Sequence, residues 1–124
     1  MAAMTQSLED YLEAIYMCVL EGRPAQVRDV AHLLDVKMPS VVKALHELKK
    51  LGLVIQEPYS PIDLTAKGLR VAKGVLGRHT LIRSFLRKLG VSERNADRDA
   101  CLMEHILSAE TLDKIRAYTE KEKK

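Results

Sequence analysis

The sequence predicts a mostly α-helical protein in which one short β-hairpin interrupts a series of amphipathic helices. Apolar residues recur every three or four positions over most of the chain, which is the spacing that buries one face of an α-helix. Of the 124 residues, 47% are apolar but only 4% are aromatic, so the core is expected to be aliphatic. At this length we expect one compact domain or two small, mutually dependent domains.

Three helices are predicted in the first part of the chain. The first begins at Ser7, whose hydroxyl would accept a backbone N–H and cap the helix. A second runs over about residues 26–34. The third begins at Pro39, since proline suits the first helical turn, and ends at Gly52. Its predicted inward-facing side chains are Val41, Val42, Leu45 and Leu48.

A hairpin is predicted next, because two β-prone runs, residues 53–55 and 62–64, flank a turn that contains proline. The order helix, helix, turn, helix, hairpin is that of a winged helix-turn-helix domain, whose third helix enters the major groove of DNA. We therefore expect a DNA-binding domain over residues 1–70.

The remainder of the chain is predicted to be helical. Thr65 would cap a long fourth helix that ends at Gly90, and Ser92 and Ser108 would begin a fifth and a sixth helix. Residues 71–124 are therefore expected to form a second, helical domain, and the fold class is expected to be mostly α.

Charge is unevenly distributed along the sequence. Residues 1–22 sum to −4 and residues 65–90 to +7, within a net charge of only +3. An acidic start beside a basic middle suggests two electrostatic roles, the capture of a cation and contact with a polyanion. The alternative is that the two regions simply pair with each other.

The sequence predicts a cytoplasmic protein with no membrane partner. Its longest apolar run, residues 14–20, is too short to cross a bilayer, and residues 1–4 show no leader pattern. Cys18 and Cys101 need no disulfide in a reducing compartment, and Cys18 is expected in the core. No phosphate-binding glycine motif is present, and no small organic ligand is expected.

The first turn of the third helix is the predicted DNA-reading element, because recognition helices present their N-terminal residues to base edges. Basic side chains just before it and on the second helix would hold phosphates, which sets the register. The residues expected to contact DNA are Arg28, Lys37, Pro39, Ser40, Lys43 and Tyr59. The alternative is a solvated basic helix in a protein-binding domain. Specific binding would require a homodimer on a two-fold operator.

Two groups of potential metal ligands occur at helical spacing. Asp10 and Glu13 would project from one face of the first helix, and Cys101, Glu104 and His105 would share a face of the fifth. With His79 of the fourth helix they make a thiolate, carboxylate and imidazole set that suits transition metals. Each group also has a purely structural alternative. Asp10 and Glu13 could stabilise the start of the first helix through its dipole, and Cys101 could be a small buried residue. A nucleophilic role for Cys101 is disfavoured, since no oxyanion-hole loop is evident, and no enzyme is predicted.

Several motifs resemble those of the diphtheria toxin repressor and manganese transport regulator family. They match in order and at compatible spacing, so that the resemblance covers residues 7–118. The matching motifs are residues 7–16, 39–43, 64–68, 78–79 and 101–105.

This resemblance implies a homodimer that binds palindromic operator DNA when loaded with Mn(II) or Fe(II), and that represses metal-uptake genes. Asp10 and Glu13 match ligands of the manganese branch, and His79, Glu104 and His105 match ligand positions across the family. The metal would then connect the first helix to the fourth and fifth helices and select the DNA-binding conformation.

Cys101 departs from the manganese branch and resembles the iron branch, whereas Asp10 departs from the iron branch. The cognate metal therefore stays open, with Mn(II) and Fe(II) favoured and Co(II), Ni(II) or Zn(II) possible. Arg83 stands where the iron branch has an acidic ligand, so the ancillary metal site of that branch is expected to be absent. The chain resembles the short form without an SH3-like domain.

Two other functions remain open at this stage. A metal-independent winged-helix regulator is the main alternative, and a metal-buffering or enzymatic role for the helical half is the other. Dimerisation is expected to use Leu81, Ile82, Phe85 and Leu89 of the fourth helix, so that residues 71–124 are expected to be the helical dimerisation and metal-sensing domain.

Overall fold

The computed structural model describes residues 5–122, with the side chains of Gln6 and Glu122 left out of the description. Residues 1–4, on which the prediction of no leader rests, lie outside it. Within this part of the chain there are six helices and two strands. They are α1 (Gln6–Leu20), α2 (Val27–Leu34), α3 (Met38–Lys50), β1 (Val54–Ile55), β2 (Asp63–Leu64), α4 (Ala66–Lys88), α5 (Glu93–Met103) and α6 (Ala109–Glu122). The predicted mostly α fold class is confirmed.

The chain divides into two compact units, one ending at Lys73 and the other beginning at Gly74. In the first unit α1, α2 and α3 pack on one another, and β1 pairs antiparallel with β2. A bridge between Ala25 and Ile62 extends this small sheet, with Ile62 donating its N–H to the Ala25 carbonyl at 2.8 Å. This extra pairing holds the hairpin of β1 and β2, which is the wing of the domain, against the segment before α2, and the sequence pattern did not indicate it.

The core of the first unit is aliphatic, as predicted, and draws on every helix and both sides of the hairpin. Its fully buried side chains include Leu12, Ile15, Cys18, Val30, Val41, Leu48, Leu53, Val54 and Ile62. Cys18 is 0% exposed, which confirms that this cysteine is a core residue, and its burial raises the pKa of the thiol.

Two details of the first unit differ from the prediction. α1 is capped by Thr5 and not by Ser7, because the Thr5 hydroxyl accepts the N–H of Leu8 at 3.1 Å. Val42 was predicted to face inward, but it is 56% exposed and Ala44 is buried in its place. Each helical residue rotates by about 100°, so Val41 and Val42 do not share a face.

The second unit is built from residues 74–88 of α4 together with α5 and α6. Ile82, Ala100 and Leu112 form its small core, and Leu81, Leu86, Met103 and Leu107 pack around them. The predicted starts of α5 and α6 are confirmed, since the hydroxyls of Ser92 and Ser108 accept the N–H groups of Asn95 and Thr111. Ile82 was predicted to contact the partner in the dimer, but it is fully buried in this core and is not available to a partner.

Candidate metal centre and nucleic-acid interface

Three potential metal ligands converge in the second unit. His79 lies in the middle of α4, Cys101 lies in the last turn of α5, and Glu104 is the residue that caps the end of α5. One ligand atom from each of them lies within 4.8 Å of the other two. The spacing is that expected of atoms around a common metal ion, which each would approach to about 2.0–2.3 Å.

The turn after α5 positions Glu104. The sequence predicted that α5 continues through residue 105, but the helix ends at Met103 and Glu104 and His105 lie in the following turn. Arg78, next to His79 on α4, donates its Nε–H to the backbone carbonyl of Glu104 at 2.9 Å. This bond uses one of the carbonyls that a helix end leaves without an intrahelical partner.

Glu104 is the most unusual side chain of this unit, because its carboxylate is fully buried. Among the described residues, neither of its carboxylate oxygens has a hydrogen-bond partner. The nearest imidazole atoms are Nδ1 of His79 at 3.7 Å and Nε2 of His105 at 3.6 Å from Oε1, both too long for hydrogen bonds. A buried carboxylate of this kind is expected to be compensated by a cation.

His79 shows that the surroundings favour positive charge. The nearby side chain of Cys101, followed by the Glu104 carboxylate, raises the pKa of His79 to about 11, although burial acts in the opposite direction. A metal ion would replace the Nδ1 proton of this imidazole, because only the neutral ring offers a lone pair. The donor set of thiolate, imidazole and carboxylate therefore fits a divalent transition metal.

Each predicted ligand has a definite place in the structure. The second unit brings together His79, Cys101 and Glu104, of which Cys101 is exposed. The His105 side chain is 2% exposed, and its Nε2 lies 3.6 Å from Glu104 Oε1. Asp10 and Glu13 belong to the first unit, where they lie one turn apart on α1, both partly buried. Their participation in metal binding stays a prediction.

The residues predicted to contact DNA are all exposed in the first unit. Lys37 precedes α3 as its N-cap, and Pro39, Ser40 and Lys43 follow in its first turns. Val41, Leu45 and Leu48 on the opposite face of α3 anchor the helix in the core. The four residues predicted to contact DNA therefore face outward. The remaining two are Arg28 in the first turn of α2 and Tyr59 at the wing tip.

An apolar groove runs along the second unit between α4 and α6. Phe85 and Tyr118 meet edge to face with ring centroids 5.8 Å apart, and Leu89 and Ile115 continue the lining of a groove of about 440 Å³. Leu89 is 60% exposed and Tyr118 is 47% exposed. Exposed apolar side chains in this number are typical of a surface that a protein partner covers.

Sequence reasoning missed the residues that hold His79 from its other side. Asp97 Oδ1 lies 2.9 Å from His79 Nε2, and Arg83 contacts both Asp97 and Glu93. Asp97 lies one helical turn before Cys101, which is the spacing that places two side chains on one face of α5. The i, i+4 spacing of Asp97 and Cys101 is therefore the signal in the sequence that indicates this contact.

Two family models match the chain in succession. Residues 3–62 match the N-terminal DNA-binding domain of the iron-dependent repressors, and residues 65–124 match their metal-binding and dimerisation domain. The chain belongs to the iron-dependent repressor family. The predicted family is thereby confirmed, and so is the predicted class of function, a transcriptional regulator that depends on a divalent metal such as iron or manganese.

Individual relatives agree with this assignment. An uncharacterised HTH-type transcriptional regulator of Methanocaldococcus jannaschii is 43% identical over 120 residues, which are 95% of this chain and 96% of that protein. The HTH-type transcriptional regulator MntR of Geobacillus kaustophilus is 40% identical over 111 residues, which are 90% of this chain and 79% of MntR.

Solved structures of the family share the fold. The manganese regulator SloR superposes with a TM-score of 0.83 at 25% identity, over 94% of this chain and 55% of SloR. The chain thus spans about half the length of that regulator. In the described part of the chain, no helix is long and apolar enough to cross a membrane.

Proposed function

We propose that this protein is a cytoplasmic, metal-activated repressor that binds palindromic operator DNA as a homodimer and controls genes of metal uptake. Loading with a divalent transition metal, Mn(II) or Fe(II), would raise its affinity for the operator. No catalytic activity is part of the proposal. Membership of the iron-dependent repressor family supports the general function, and the side chains of each unit support the specific roles.

The single observation that carries the metal-binding part is the buried Glu104 carboxylate. Within the described residues its two oxygens have no hydrogen-bond partner, yet ligand atoms of His79 and Cys101 lie within 4.8 Å. A buried carboxylate without hydrogen bonds costs about 1–3 kcal/mol or more. In the metal-free protein the protonated His79, 3.7 Å away, offsets part of this cost. A cation bound by these residues would recover it.

We propose His79, Cys101, Glu104 and His105 as ligands in the second unit, and Asp10 and Glu13 as ligands from α1. When bound, the metal would supply positive charge and fixed coordination geometry. A thiolate ligand shifts preference toward Fe(II), Co(II) or Zn(II), whereas carboxylates suit Mn(II). The exposed Cys101 therefore decides which metal the site prefers.

DNA recognition is assigned to the exposed first half of α3. Ser40 and Lys43 would reach base edges in the major groove, and Pro39 would lie beside them. Arg28, Lys37 and Tyr59 would contact the backbone on either side, which sets the register of the domain on the duplex. The α4–α6 groove around Phe85 and Leu89 would hold the second copy of the chain.

The decisive experiment is an anaerobic Co(II) titration followed by absorption, on the wild type and on Cys101→Ala. We expect saturable d–d bands and a thiolate charge-transfer band that disappears in the variant. Saturable binding without that band would exclude a cysteine ligand, keep the metal-binding function and favour Mn(II) over Fe(II). Absence of saturable binding would overturn metal activation and leave a metal-independent regulator.

The DNA-binding part is tested with the same preparations. Duplexes selected from a random library by the Mn(II)-loaded protein would be labelled, and binding measured by anisotropy with metal or with chelator. We expect palindromic selected sequences and an affinity that falls at least about tenfold when metal is removed, a typical allosteric coupling. Equal affinity with and without metal would contradict the proposal.

A further inference from the structure

The imidazole of His79 faces two different groups with its two nitrogens. Nδ1 lies 3.7 Å from Glu104 Oε1, on the side of the potential ligands. Nε2 lies 2.9 Å from Oδ1 of Asp97, on the opposite side of the ring. The His79 side chain itself is 13% exposed, whereas the Asp97 side chain is 59% exposed.

The chemistry of Asp97 decides which nitrogen carries the proton. An ionised carboxylate is an acceptor only, so a hydrogen bond at 2.9 Å requires Nε2–H as the donor. In the neutral ring the lone pair is then on Nδ1, which faces Glu104. Asp97 thereby selects the tautomer in which His79 can coordinate a metal on the side where Glu104 and Cys101 lie.

Asp97 is itself held in place by charged neighbours. Nε of Arg83 lies 3.7 Å from the same Oδ1 atom, and a terminal nitrogen of Arg83 lies 3.1 Å from Oε1 of Glu93. These side chains line an open polar cleft of about 430 Å³. Helical spacing brings them together, because Arg83 is four residues after His79 on α4 and Asp97 is four residues after Glu93 on α5.

We propose that Asp97 is a positioning residue for the metal centre, which orients the His79 ring and fixes its Nε2–H tautomer so that Nδ1 is available to the metal. Arg83 and Glu93 support it by restricting the Asp97 carboxylate. This inference rests on the proposed metal-binding function, and it adds residues that lie outside the ligand set. Carboxylates that hold a ligating histidine in this way typically change metal affinity by about 10–100-fold.

The test compares Asp97→Ala, Asp97→Asn and the control Asp99→Ala. Asp99 is an exposed carboxylate on the same helix, so its removal changes the charge equally. Co(II) affinity would be measured anaerobically by competition with a chromophoric chelator. We expect Asp97→Ala to weaken Co(II) binding about 10–100-fold. Asp97→Asn should lose less, because its amide oxygen still accepts the Nε2–H, and Asp99→Ala should match the wild type.

A second readout reports the tautomer directly. In the Zn(II)-loaded protein, long-range ¹⁵N–¹H spectra of the histidine side chains should show a protonated Nε2 on His79 in the wild type and in Asp97→Asn. In Asp97→Ala the Nε2 signal should move and broaden, while the thermal unfolding of the metal-free protein stays unchanged. A residue with only a structural role would not shift this resonance.

The outcomes separate the two proposals. If the wild type binds Co(II) and Asp97→Ala binds it equally well with an unchanged Nε2 signal, the role of Asp97 is wrong and the metal-binding function stands. An equal loss in Asp99→Ala would also overturn the inference, since the effect would then be one of charge alone. If the wild type fails to bind Co(II), the proposed function itself fails.

Discussion

The two units of this protein bury different kinds of side chain. In the first, the buried side chains are apolar and come from three helices and a hairpin. Among the described residues, the two polar or charged residues that are buried as whole residues, Glu104 and Thr119, both belong to the second unit. Thr119 is satisfied by the Ile115 carbonyl at 2.8 Å, whereas the Glu104 carboxylate has no hydrogen bond.

The core of the first unit serves only to pack its helices and hairpin, whereas the interior of the second unit contains a charged group that can bind a ligand. A buried carboxylate without hydrogen bonds destabilises a fold, so its presence calls for a compensating ligand. In the first unit the residues proposed to contact DNA on α3 lie instead on the exposed face of a well-packed helix, where they cost little. Substitution of the exposed α3 residues should therefore lower DNA affinity without changing metal affinity, whereas substitution of a metal ligand should lower both.

The largest effect is expected from Glu104→Ala. Removal of this buried ligand should weaken Co(II) binding by more than about 100-fold, since even residues that only orient ligands change affinity by about 10–100-fold. Calorimetric titration would measure it. Glu120→Ala, which removes an exposed carboxylate of α6, is the control. If Glu104→Ala binds Co(II) as tightly as the wild type, the buried carboxylate of the second unit is not a metal ligand.

A second test concerns the apolar groove of the second unit. Leu89→Glu should dissociate the dimer, because the charge would be buried twice across a two-fold interface, at a cost of about 2 kcal/mol or more per site. Leu89 is 60% exposed, so the fold of the monomer should persist. Sedimentation velocity would measure the mass, with Phe85→Glu as a second variant of the same groove. An unchanged mass would place the dimer interface elsewhere.

Gly68 tests how tightly α4 packs on the first unit, and Gly74, the first residue of the second unit on the same helix, is its control. A Cβ at Gly68 would overlap the backbone carbonyl of Leu53, whereas one at Gly74 would meet no atom within 4 Å. Gly68→Ala should therefore lower the free energy of unfolding by about 1–3 kcal/mol. Gly74→Ala should raise it by about 0.5–1 kcal/mol, because alanine favours the helix. Urea denaturation of the metal-free protein would show whether the two substitutions change the free energy of unfolding in opposite directions.

The smallest effect is expected on α3. Lys43→Ala should weaken binding of the metal-loaded protein to its selected duplex by about 1–2 kcal/mol, and leave Co(II) affinity unchanged. Lys49→Ala, at the other end of the same helix, is the matched control. Anisotropy at several salt concentrations would distinguish a phosphate contact, which lowers the salt dependence, from a base contact, which relaxes sequence preference. Weaker Co(II) binding in Lys43→Ala would show that the two functions are not separable.

Much of the fold follows from local sequence. The 3.6-residue period predicted the helices, and Ser92, Ser108 and Gly90 marked their ends, because capping depends on residues only a few positions apart. The same locality predicted that Ser40 and Lys43 face outward. It gave the wrong cap for α1, since Thr5 and Ser7 are chemically equivalent candidates and only the backbone geometry at Thr5 selects it.

The sequence by itself determined the helical architecture, the aliphatic core and the residue types suited to metal and DNA, because periodicity, capping and ligand chemistry are properties of short segments. Tertiary structure alone decided that the Glu104 carboxylate is buried without a hydrogen bond to any described residue, and that Asp97 contacts the other nitrogen of the His79 ring. These facts depend on how α4 and α5 pack and where α5 ends. Side chains distant in sequence acquire their electrostatic surroundings only when such contacts exclude water.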